Sequence, residues 1–447
     1  MPSITTPPPL VTPGDEAYDA ARQAWNLAAD PRPAAVATAT TVDEVRAVIA
    51  HARSQGLRVT ARGTGHLASA LPSLERTLLL KTQMAGPIAV DAAARTARVP
   101  AGTTWEPVVM AAAEHGLTAL HGSSPDVGVV GYTLGGGLSF YAREHGMAAN
   151  HVRAIEVVTA DGEPRRVDGE HDPDLFWALR GGGGAFGVVT AIEIELMPIE
   201  RVYAGAIFWP VSDAPAVMRA WVDWCATAPS SITSSMRILN LPPLPEVPEP
   251  LRGVPHIAFD GAFVGDAAAG AESIAPLRAA APPKIDMFAE VPATAVMRIH
   301  GDPEEPVPYL SRDAMLGPLD EAAIDAFLAV AGEGSGSPLV AAELRQLGGA
   351  LREAPAGAGV TGSMPAEFML FGVGMMMAPE HAEAMPPALE RVISAMRPWE
   401  SGPRYLNFAE AGGSAEACFA ADAYARLVRT RREWDPDGLF VSSHDIS

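Results

Sequence analysis

The segment from Ser124 to Gly137 constrains the fold most, because five of its last ten residues are glycine. Glycine loses more backbone entropy on folding than any other residue, so a chain concentrates it where backbone must turn tightly or approach another group. Irregular loops of this kind are usually functional, although a purely structural loop is the alternative. The pattern favours a loop that brings bare backbone against a bound group.

A second glycine-containing loop directly follows a predicted strand. Thr41 and Glu44 form a capping-box pair that begins a helix, and Gly56 ends it. Apolar and polar residues then alternate over residues 57–62, which is typical of a half-buried strand. Two glycines that free backbone N–H groups can form a nest for an anion, and a tight surface turn is the equal alternative. The loop consists of Arg62, Gly63, Thr64, Gly65 and His66.

Gly182, Gly184 and Gly187 match the dinucleotide-binding pattern G-x-G-x-x-G. That pattern indicates a Rossmann site only between a strand and a helix. Here a predicted helix, Pro173–Leu179, precedes the glycines and a β-branched strand, Gly187–Leu196, follows them. We therefore expect these glycines to allow close backbone packing.

A second capping-box pair is predicted earlier in the chain. It consists of Thr103 and Glu106, at the start of another helix.

Charge and hydropathy exclude several classes of function. The formal net charge of −21 disfavours binding to nucleic acid or to an anionic membrane, which both require basic patches. The longest apolar stretch, Phe368–Pro379, is shorter than the about 20 residues of a membrane span. Met1–Leu10 lacks the segments of a signal peptide, so we expect a cytoplasmic protein.

The order of these motifs resembles the FAD-binding domain of the vanillyl-alcohol oxidase superfamily, also called PCMH-type. It is most similar to the berberine-bridge-enzyme-like, FAD-linked oxidoreductases. The resemblance rests on the two glycine loops, the Leu-Phe-Trp-Ala-Leu-Arg run at 175–180, the Phe-Gly-Val-Val-Thr run at 186–190 and the Tyr-Leu-Asn-Phe run at 405–408. It spans nearly the whole chain and is weakest between Pro210 and Ser335.

The resemblance implies an α+β fold in two domains. The FAD domain has two subdomains and comprises residues 1–198 and 405–447. The substrate domain, residues 199–404, is expected to cover the flavin with an antiparallel sheet flanked by helices.

The resemblance also implies the cofactor and its contacts. FAD is expected to be bonded covalently to His66, and by this single link, because Ser124 stands where many relatives carry a second, cysteine link. The remaining residues expected at the cofactor are Arg62, Gly63, Thr64, Gly65, Pro125, Gly128, Val129, Gly131, Tyr132, Thr133, Gly135, Gly136, Gly137, Gly187, Val189 and Asn407.

The catalytic residues are less directly implied. Relatives often place a tyrosine base where this chain has Phe408, and phenylalanine cannot accept a proton. Side chains alternate along Val340–Leu347, so Glu343 and Arg345 share a face opposite Ala342 and Leu344. We expect this pair to face the flavin and either to orient a substrate hydroxyl or, through Glu343, to take its proton, with a Glu343 pKa raised by burial. Tyr405 and Tyr309 are the competing bases, and a surface ion pair is the alternative for Glu343 and Arg345.

The expected reaction is oxidation of a C–H bond next to oxygen or nitrogen in a small organic substrate. Hydride would pass to the flavin, and O₂ would reoxidise it with release of H₂O₂. Val129 resembles the small residue that admits oxygen in oxidases of the family, although simple packing explains it equally well. The alternatives are a dehydrogenase with another electron acceptor, an oxygenase and, least favoured, a flavin-binding protein without turnover.

Overall fold

Helices and strands alternate along the chain and form an α+β fold, as expected. The computed structural model describes residues 6–245 and 247–447, so part of the N-terminal tail lies outside the described residues. The helices are α1 (Tyr18–Arg22), α2 (Val42–Ser54), α3 (Trp105–Ala113), α4 (Val129–Leu134), α5 (Ala142–His145), α6 (Pro173–Leu179), α7 (Ala214–Cys225), α8 (Ala267–Ser273), α9 (Ala275–Ala280), α10 (Glu321–Ala331), α11 (His381–Met396) and α12 (Ala421–Trp434). The strands are β1 (Ala35–Ala39), β2 (Arg58–Arg62), β3 (Thr77–Thr82), β4 (Ala89–Asp91), β5 (Thr96–Pro100), β6 (Val152–Val158), β7 (Pro164–Val167), β8 (Val188–Glu195), β9 (Arg201–Pro210), β10 (Ile232–Leu239), β11 (His256–Phe263), β12 (Ile285–Asp286), β13 (Ala289–Pro292), β14 (Tyr309–Leu316), β15 (Ala341–Gln346), β16 (Phe368–Met375), β17 (Gly413–Ser414) and β18 (His444–Asp445).

The first sheet is parallel, with strand order β1-β3-β2, and α2 packs against it. The predicted capping box is confirmed, since Thr41 and Glu44 bond reciprocally at the start of α2. Gly56 follows the helix with a φ of +65°, a conformation that glycine adopts without strain. The loop that contains His66 leaves the carboxyl end of β2, a half-buried parallel strand at the edge of this sheet.

The second sheet is antiparallel, with strand order β4-β5-β8-β6-β7. The Rossmann interpretation is excluded as expected, because α6 precedes the glycine run and β8 follows it. A Cβ on Gly187 would lie 2.5 Å from a Val157 methyl carbon, so this glycine allows β8 to pack closely on β6.

The predicted Thr103–Glu106 capping pair is wrong. Helix α3 begins at Trp105, and the backbone N–H groups of Trp105 and Glu106 donate to the carbonyl oxygens of Val127 and Pro125. The glycine-rich segment thus supplies the acceptors that a cap would supply. The Glu106 carboxylate instead pairs with Arg298 at 2.7 Å.

The third sheet has eight strands in the order β12-β9-β11-β10-β15-β16-β14, with β13 also pairing to β9. Its strands pair antiparallel throughout. One face packs on α7, α9, α10 and α11 and forms the largest apolar core of the described residues. The opposite face carries Arg237, Glu343 and Arg345, and we call it the inner face. It turns toward the glycine-rich segment and toward the Tyr-Leu-Asn-Phe run at 405–408, which we call the C-terminal run.

The C-terminal segment returns to the N-terminal sheets. Val59 in β2 bonds with residues 439–441, and Leu427 of α12 joins the core of the second sheet. Arg426 of α12 pairs with Asp174 of α6. Within residues 6–245 and 247–447, no helix is long and apolar enough to span a membrane.

Candidate active site

His66 lies after β2 and is held on three sides. Its Nδ1 bonds with the Thr64 hydroxyl at 2.8 Å, and its Nε2 lies 3.7 Å from a carboxylate oxygen of Asp126. Its ring stacks on Trp25, with 4.2 Å between ring centroids. Burial lowers the pKa of His66 to about 4, although the carboxylates of Asp126 and Asp302 oppose this shift. His66 is therefore a neutral imidazole at neutral pH, fixed in orientation.

Asp126 is itself oriented by neighbours. Ser124, the residue expected in place of a second cysteine link, donates its hydroxyl to Asp126 Oδ1 at 2.8 Å. The Trp25 indole N–H donates to Asp126 Oδ2. A carboxylate near Nε2 favours the tautomer protonated there, which leaves Nδ1 of His66 to accept from Thr64.

Three of the predicted cofactor glycines face open space. A Cβ on Gly63 or Gly131 would meet no atom of the described residues within 4 Å, and a Cβ on Gly128 would meet only the Thr64 side chain, at 3.9 Å. Both loops thus present bare backbone beside His66. Arg62 points elsewhere: its guanidinium donates to the carbonyl oxygens of Ala21 and Arg22.

Neighbouring side chains pack directly against the glycine triplet Gly135–Gly137. A Cβ on Gly135 would lie 1.8 Å from Asn407 Oδ1, one on Gly136 would lie 2.9 Å from Met147 Cε, and one on Gly137 would lie 2.6 Å from the Tyr132 ring. Glycine is therefore required at these positions for close packing. That the triplet also contacts a cofactor stays a prediction.

The other residues predicted at the cofactor lie in the core or complete a turn. Val129 and Val189 are buried in the core of the second sheet. Thr133 donates its hydroxyl to the Val129 carbonyl at 2.8 Å. Gly65, at a φ of +92°, turns the backbone toward His66.

Asn407 links the glycine-rich segment to the C-terminal run. Its Nδ2 donates to the Tyr132 carbonyl at 2.9 Å and to the Tyr405 hydroxyl at 3.0 Å. Burial raises the pKa of Tyr405, and the Asn407 bond offsets only part of that shift. Tyr405 is therefore protonated at neutral pH and can donate a hydrogen bond but not act as a base.

Glu343 and Arg345 lie on the inner face of the eight-stranded sheet, so the predicted alternation along β15 is confirmed. Leu344 between them belongs to the core on the helix side. Arg345 Nε donates to Glu343 Oε1 at 2.7 Å. The Arg345 guanidinium also lies over the rings of Phe408 and Phe140, at 5.5 and 5.8 Å from their centroids. Both charged side chains are buried, which excludes the surface ion pair.

A larger network of buried charges, which was not predicted from the sequence, surrounds this pair. Asp260 in β11 pairs with Arg237 in β10 at 2.6 Å and with His300 Nδ1 at 3.0 Å. His300 Nε2 then lies 3.4 Å from Glu343 Oε2. Pairing across β10 and β15 places Arg237 opposite Glu343, and no local sequence pattern could have revealed this.

The expected rise in the pKa of Glu343 is wrong. Burial does act to raise this pKa, but Arg345 and His300 outweigh burial and hold the pKa below its usual range. Glu343 is therefore a carboxylate across the neutral pH range. Such a group is available as a proton acceptor, but its low pKa makes it a weak base that releases a captured proton readily.

A further buried carboxyl group, that of Glu410, lies near His66. The Tyr309 hydroxyl donates to Glu410 Oε1 at 2.8 Å and lies 3.3 Å from the His66 carbonyl oxygen. Burial raises the pKa of Glu410 to about 7. Burial also raises the pKa of Tyr309, as does the neighbouring Glu410. The competing base Tyr309 is thus a phenol at neutral pH.

These features fit FAD chemically. The open backbone at Gly63, Gly128 and Gly131 leaves space for a large group beside a neutral, oriented imidazole. The buried Tyr132 hydroxyl has no hydrogen-bond partner among the described residues, so it is available to a bound molecule. The ring centroids of Phe371, the strand partner of Glu343, and Phe408 lie 4.6 Å apart, so two aromatic rings lie beside the charged pair.

Comparison with known proteins places the N-terminal part in a family. Residues 33–168 match the family of FAD binding domains. The chain is 30% identical over 217 residues to (R)-6-hydroxynicotine oxidase of Paenarthrobacter nicotinovorans, an alignment that covers 48% of this chain and 47% of that protein. The chain thus spans about half the length of this curated relative.

Comparison with solved structures shows the fold of nearly the whole chain. BBE-like 1 of Physcomitrella patens superposes with a TM-score of 0.85 at 20% identity, covering 98% of this chain and 96% of that one. Phl p 4, a grass pollen allergen with glucose dehydrogenase activity, superposes with a TM-score of 0.84 at 19% identity, with the same coverage.

Proposed function

We propose that this chain, whose residues 33–168 match an FAD binding domain and whose fold is that of berberine bridge enzyme-like proteins, is an FAD-linked oxidoreductase. In this proposal it oxidises a C–H bond next to oxygen or nitrogen in a small organic substrate. The observation that carries this proposal is the buried Glu343–Arg345 pair on the inner sheet face. Arg345 lies over the rings of Phe408 and Phe140, and the Asp302 carboxylate that faces His300 also acts on His66. FAD, when bound, supplies the two-electron acceptor for the hydride.

In this proposal Glu343 removes the proton from the substrate hydroxyl or amine. It is the ionised member of the three candidate bases, because Tyr405 and Tyr309 have raised pKa values. Arg345 fixes the carboxylate through Nε and is itself confined over Phe408 and Phe140. Rigid placement of a base within hydrogen-bonding distance of its proton is what general base catalysis requires.

The test begins with anaerobic flavin bleaching by a panel of secondary alcohols, oligosaccharides, cyclic amines and phenols. With any compound that bleaches the flavin, Glu343→Gln should slow flavin reduction by roughly a hundredfold, because the amide keeps the shape but cannot accept the proton. Glu290→Gln, which changes an exposed carboxylate paired with Arg201, is the matched control and should reduce normally. Equal reduction rates in the wild type and Glu343→Gln would eliminate Glu343 as the base.

His66 is proposed to anchor FAD covalently and alone. A nucleophilic imidazole must be neutral, and burial keeps His66 neutral while Thr64 and Asp126 orient it. Acid precipitation of wild-type protein should therefore retain the yellow flavin in the pellet, and His66→Ala should release it. His115→Ala, which changes an exposed histidine beyond α3, should retain it. Free flavin in the wild-type supernatant would contradict the covalent link.

O₂ is proposed as the electron acceptor, in keeping with the oxidase activity named for the nicotine-oxidising relative. A dehydrogenase is the second candidate, because Phl p 4 shares the fold and is named for glucose dehydrogenase activity. Stopped-flow reoxidation in air-saturated buffer separates the two. An oxidase reoxidises faster than free flavin and releases peroxide, whereas a dehydrogenase transfers electrons to a dye or quinone instead.

The proposed division of the chain agrees with its sheets. The parallel sheet and the five-stranded sheet lie within residues 1–198, and the eight-stranded sheet lies within residues 199–404. Residues 405–447 supply α12 and the strand partners that pack against the N-terminal part.

A further inference from the structure

His300 occupies the centre of the buried charged network on the inner sheet face. It follows β13 and lies in a loop, yet its side chain is almost fully buried. Three carboxylates face it: Asp260 from β11, Glu343 from β15 and Asp302 from its own loop. The Phe140 ring packs beside it at 6.0 Å between centroids, and Arg237 of β10 is a cation of the network that acts on it.

The two nitrogens of His300 have different surroundings. Nδ1 lies 3.0 Å from Asp260 Oδ1, which also accepts the Ser235 hydroxyl at 2.7 Å and is fully buried. Nε2 lies between Glu343 Oε2 at 3.4 Å and Asp302 Oδ1 at 3.9 Å. One ring nitrogen is therefore anchored, and the other lies between the proposed base and a further carboxylate.

Asp302 connects this network with solvent. Its side chain is 34% exposed, and its Oδ2 accepts the Ser123 hydroxyl at 2.6 Å from the segment that leads into the glycine-rich loop. The other carboxylates of the network are buried. Asp302 is thus the member of the chain Glu343–His300–Asp302 that can exchange a proton with water.

We propose that His300 is a positioning residue that relays the substrate proton from Glu343 to Asp302 and so to solvent. This inference rests on the proposed function of Glu343. The imidazolium passes its Nε2 proton to Asp302, and the freed Nε2 then takes the proton that Glu343 has accepted. One proton enters at Glu343, one leaves from Asp302, and His300 returns to its initial state with Nδ1–H still bonded to Asp260.

Electrostatics sets the protonation state from which this cycle starts. Burial and Arg237 act to lower the pKa of His300, but Asp260, Asp302 and Glu343 outweigh them and raise it to about 9. The resting residue is then an imidazolium with a proton on both nitrogens. Because the pKa of Glu343 is held low, a proton captured there is released readily to the neighbouring ring.

Proton NMR of the holoenzyme labelled with ¹⁵N-histidine tests the relay with water as the only probe. His300 should give two strongly downfield N–H resonances at neutral pH that disappear in His300→Gln. In Asp302→Asn the exchange of the Nε2 proton with D₂O should slow by about tenfold or more, because the proton acceptor has been replaced by an amide. The Nδ1 proton, held by Asp260, should exchange slowly in both proteins.

Glu304→Gln is the matched control, since Glu304 lies in the same loop but pairs with the exposed Arg298. In this variant the Nε2 proton of His300 should exchange with D₂O at the wild-type rate. The relay would be overturned if the Nε2 proton of His300 exchanged at the wild-type rate in Asp302→Asn, or if its exchange slowed in both Asp302→Asn and Glu304→Gln. A neutral His300 at pH 7 would overturn it as well. If His300→Gln does not fold, two-bond correlations within the ring identify the resonances. No substrate enters this measurement, so a failed relay is distinguishable from a failed substrate panel.

Discussion

His300 should make the stability of the protein depend on pH between 6.5 and 9. Its pKa is 6.5 in an unfolded chain and about 9 in the folded protein, so the folded state holds its proton more tightly. Because the folded state binds this proton more tightly, His300 stabilises the protein fully below pH 6.5. This contribution to the free energy of unfolding is lost as the pH rises through 9. The shift corresponds to about 3 kcal/mol, since each pKa unit is worth about 1.4 kcal/mol. The side chain is almost fully buried, so solvent screening removes little of this value.

The perturbation that isolates this contribution is His300→Gln, because the amide cannot titrate. Urea unfolding followed by circular dichroism should be measured for both proteins at intervals from pH 6 to pH 9.5. The free energy of unfolding of the wild type should fall toward that of His300→Gln by about 3 kcal/mol over this range. Groups that titrate in both proteins cancel in the difference.

His115→Gln serves as the control, since this exposed histidine should leave the pH dependence of the wild type unchanged. A constant difference between the wild type and His300→Gln across pH 6.5 to 9 would refute the reasoning. It would mean that the carboxylates around His300 do not hold an imidazolium in the folded protein.

Two further predictions concern the other side of the site. Burial raises the pKa of Glu410 from 4.5 to about 7, so ionised Glu410 destabilises the fold above that pH. Urea unfolding should therefore show the stability of Glu410→Gln rising relative to wild type by about 3 kcal/mol from pH 4 to pH 8, and a flat difference would contradict this. Gly131→Val should fold normally, because a Cβ at this position meets no described residue within 4 Å. It should bind less FAD, because the valine side chain would enter the space that we assign to the cofactor. Gly136→Val should instead lower the thermal midpoint, since its Cβ would lie 2.9 Å from Met147 at a φ of +111°. Flavin absorbance per protein and thermal melts distinguish the two glycines.

Local patterns predicted the elements that hold the site. The capping box at Thr41, the alternation around Leu344 and the helix before the glycine run each depend on neighbours within a few residues. Such patterns are dictated by helix and strand periodicity, so one sequence suffices to recognise them. The family resemblance added FAD and singled out His66, beside which the structure leaves bare backbone and open space.

Other properties were decided by tertiary contacts. Thr103 has the right spacing for a cap, but the backbone N–H groups at the start of α3 donate instead to the carbonyl oxygens of Pro125 and Val127. Gly135 is separated from Asn407 by more than half the chain, yet the two must pack together. Sequence spacing does not report such approaches.

The order of residues alone is enough to show that Glu343 and Arg345 share one face of β15, because side chains alternate along any strand. The ionisation of Glu343, in contrast, depends on the folded arrangement. Burial alone would raise its pKa, and Arg345 and His300 reverse the direction by approaching within a few ångströms. His300 comes from a loop after another strand, so its distance from Glu343 is set by the pairing of the sheet. Electrostatic interactions depend on that distance and on the exclusion of water, which are properties of the folded protein alone.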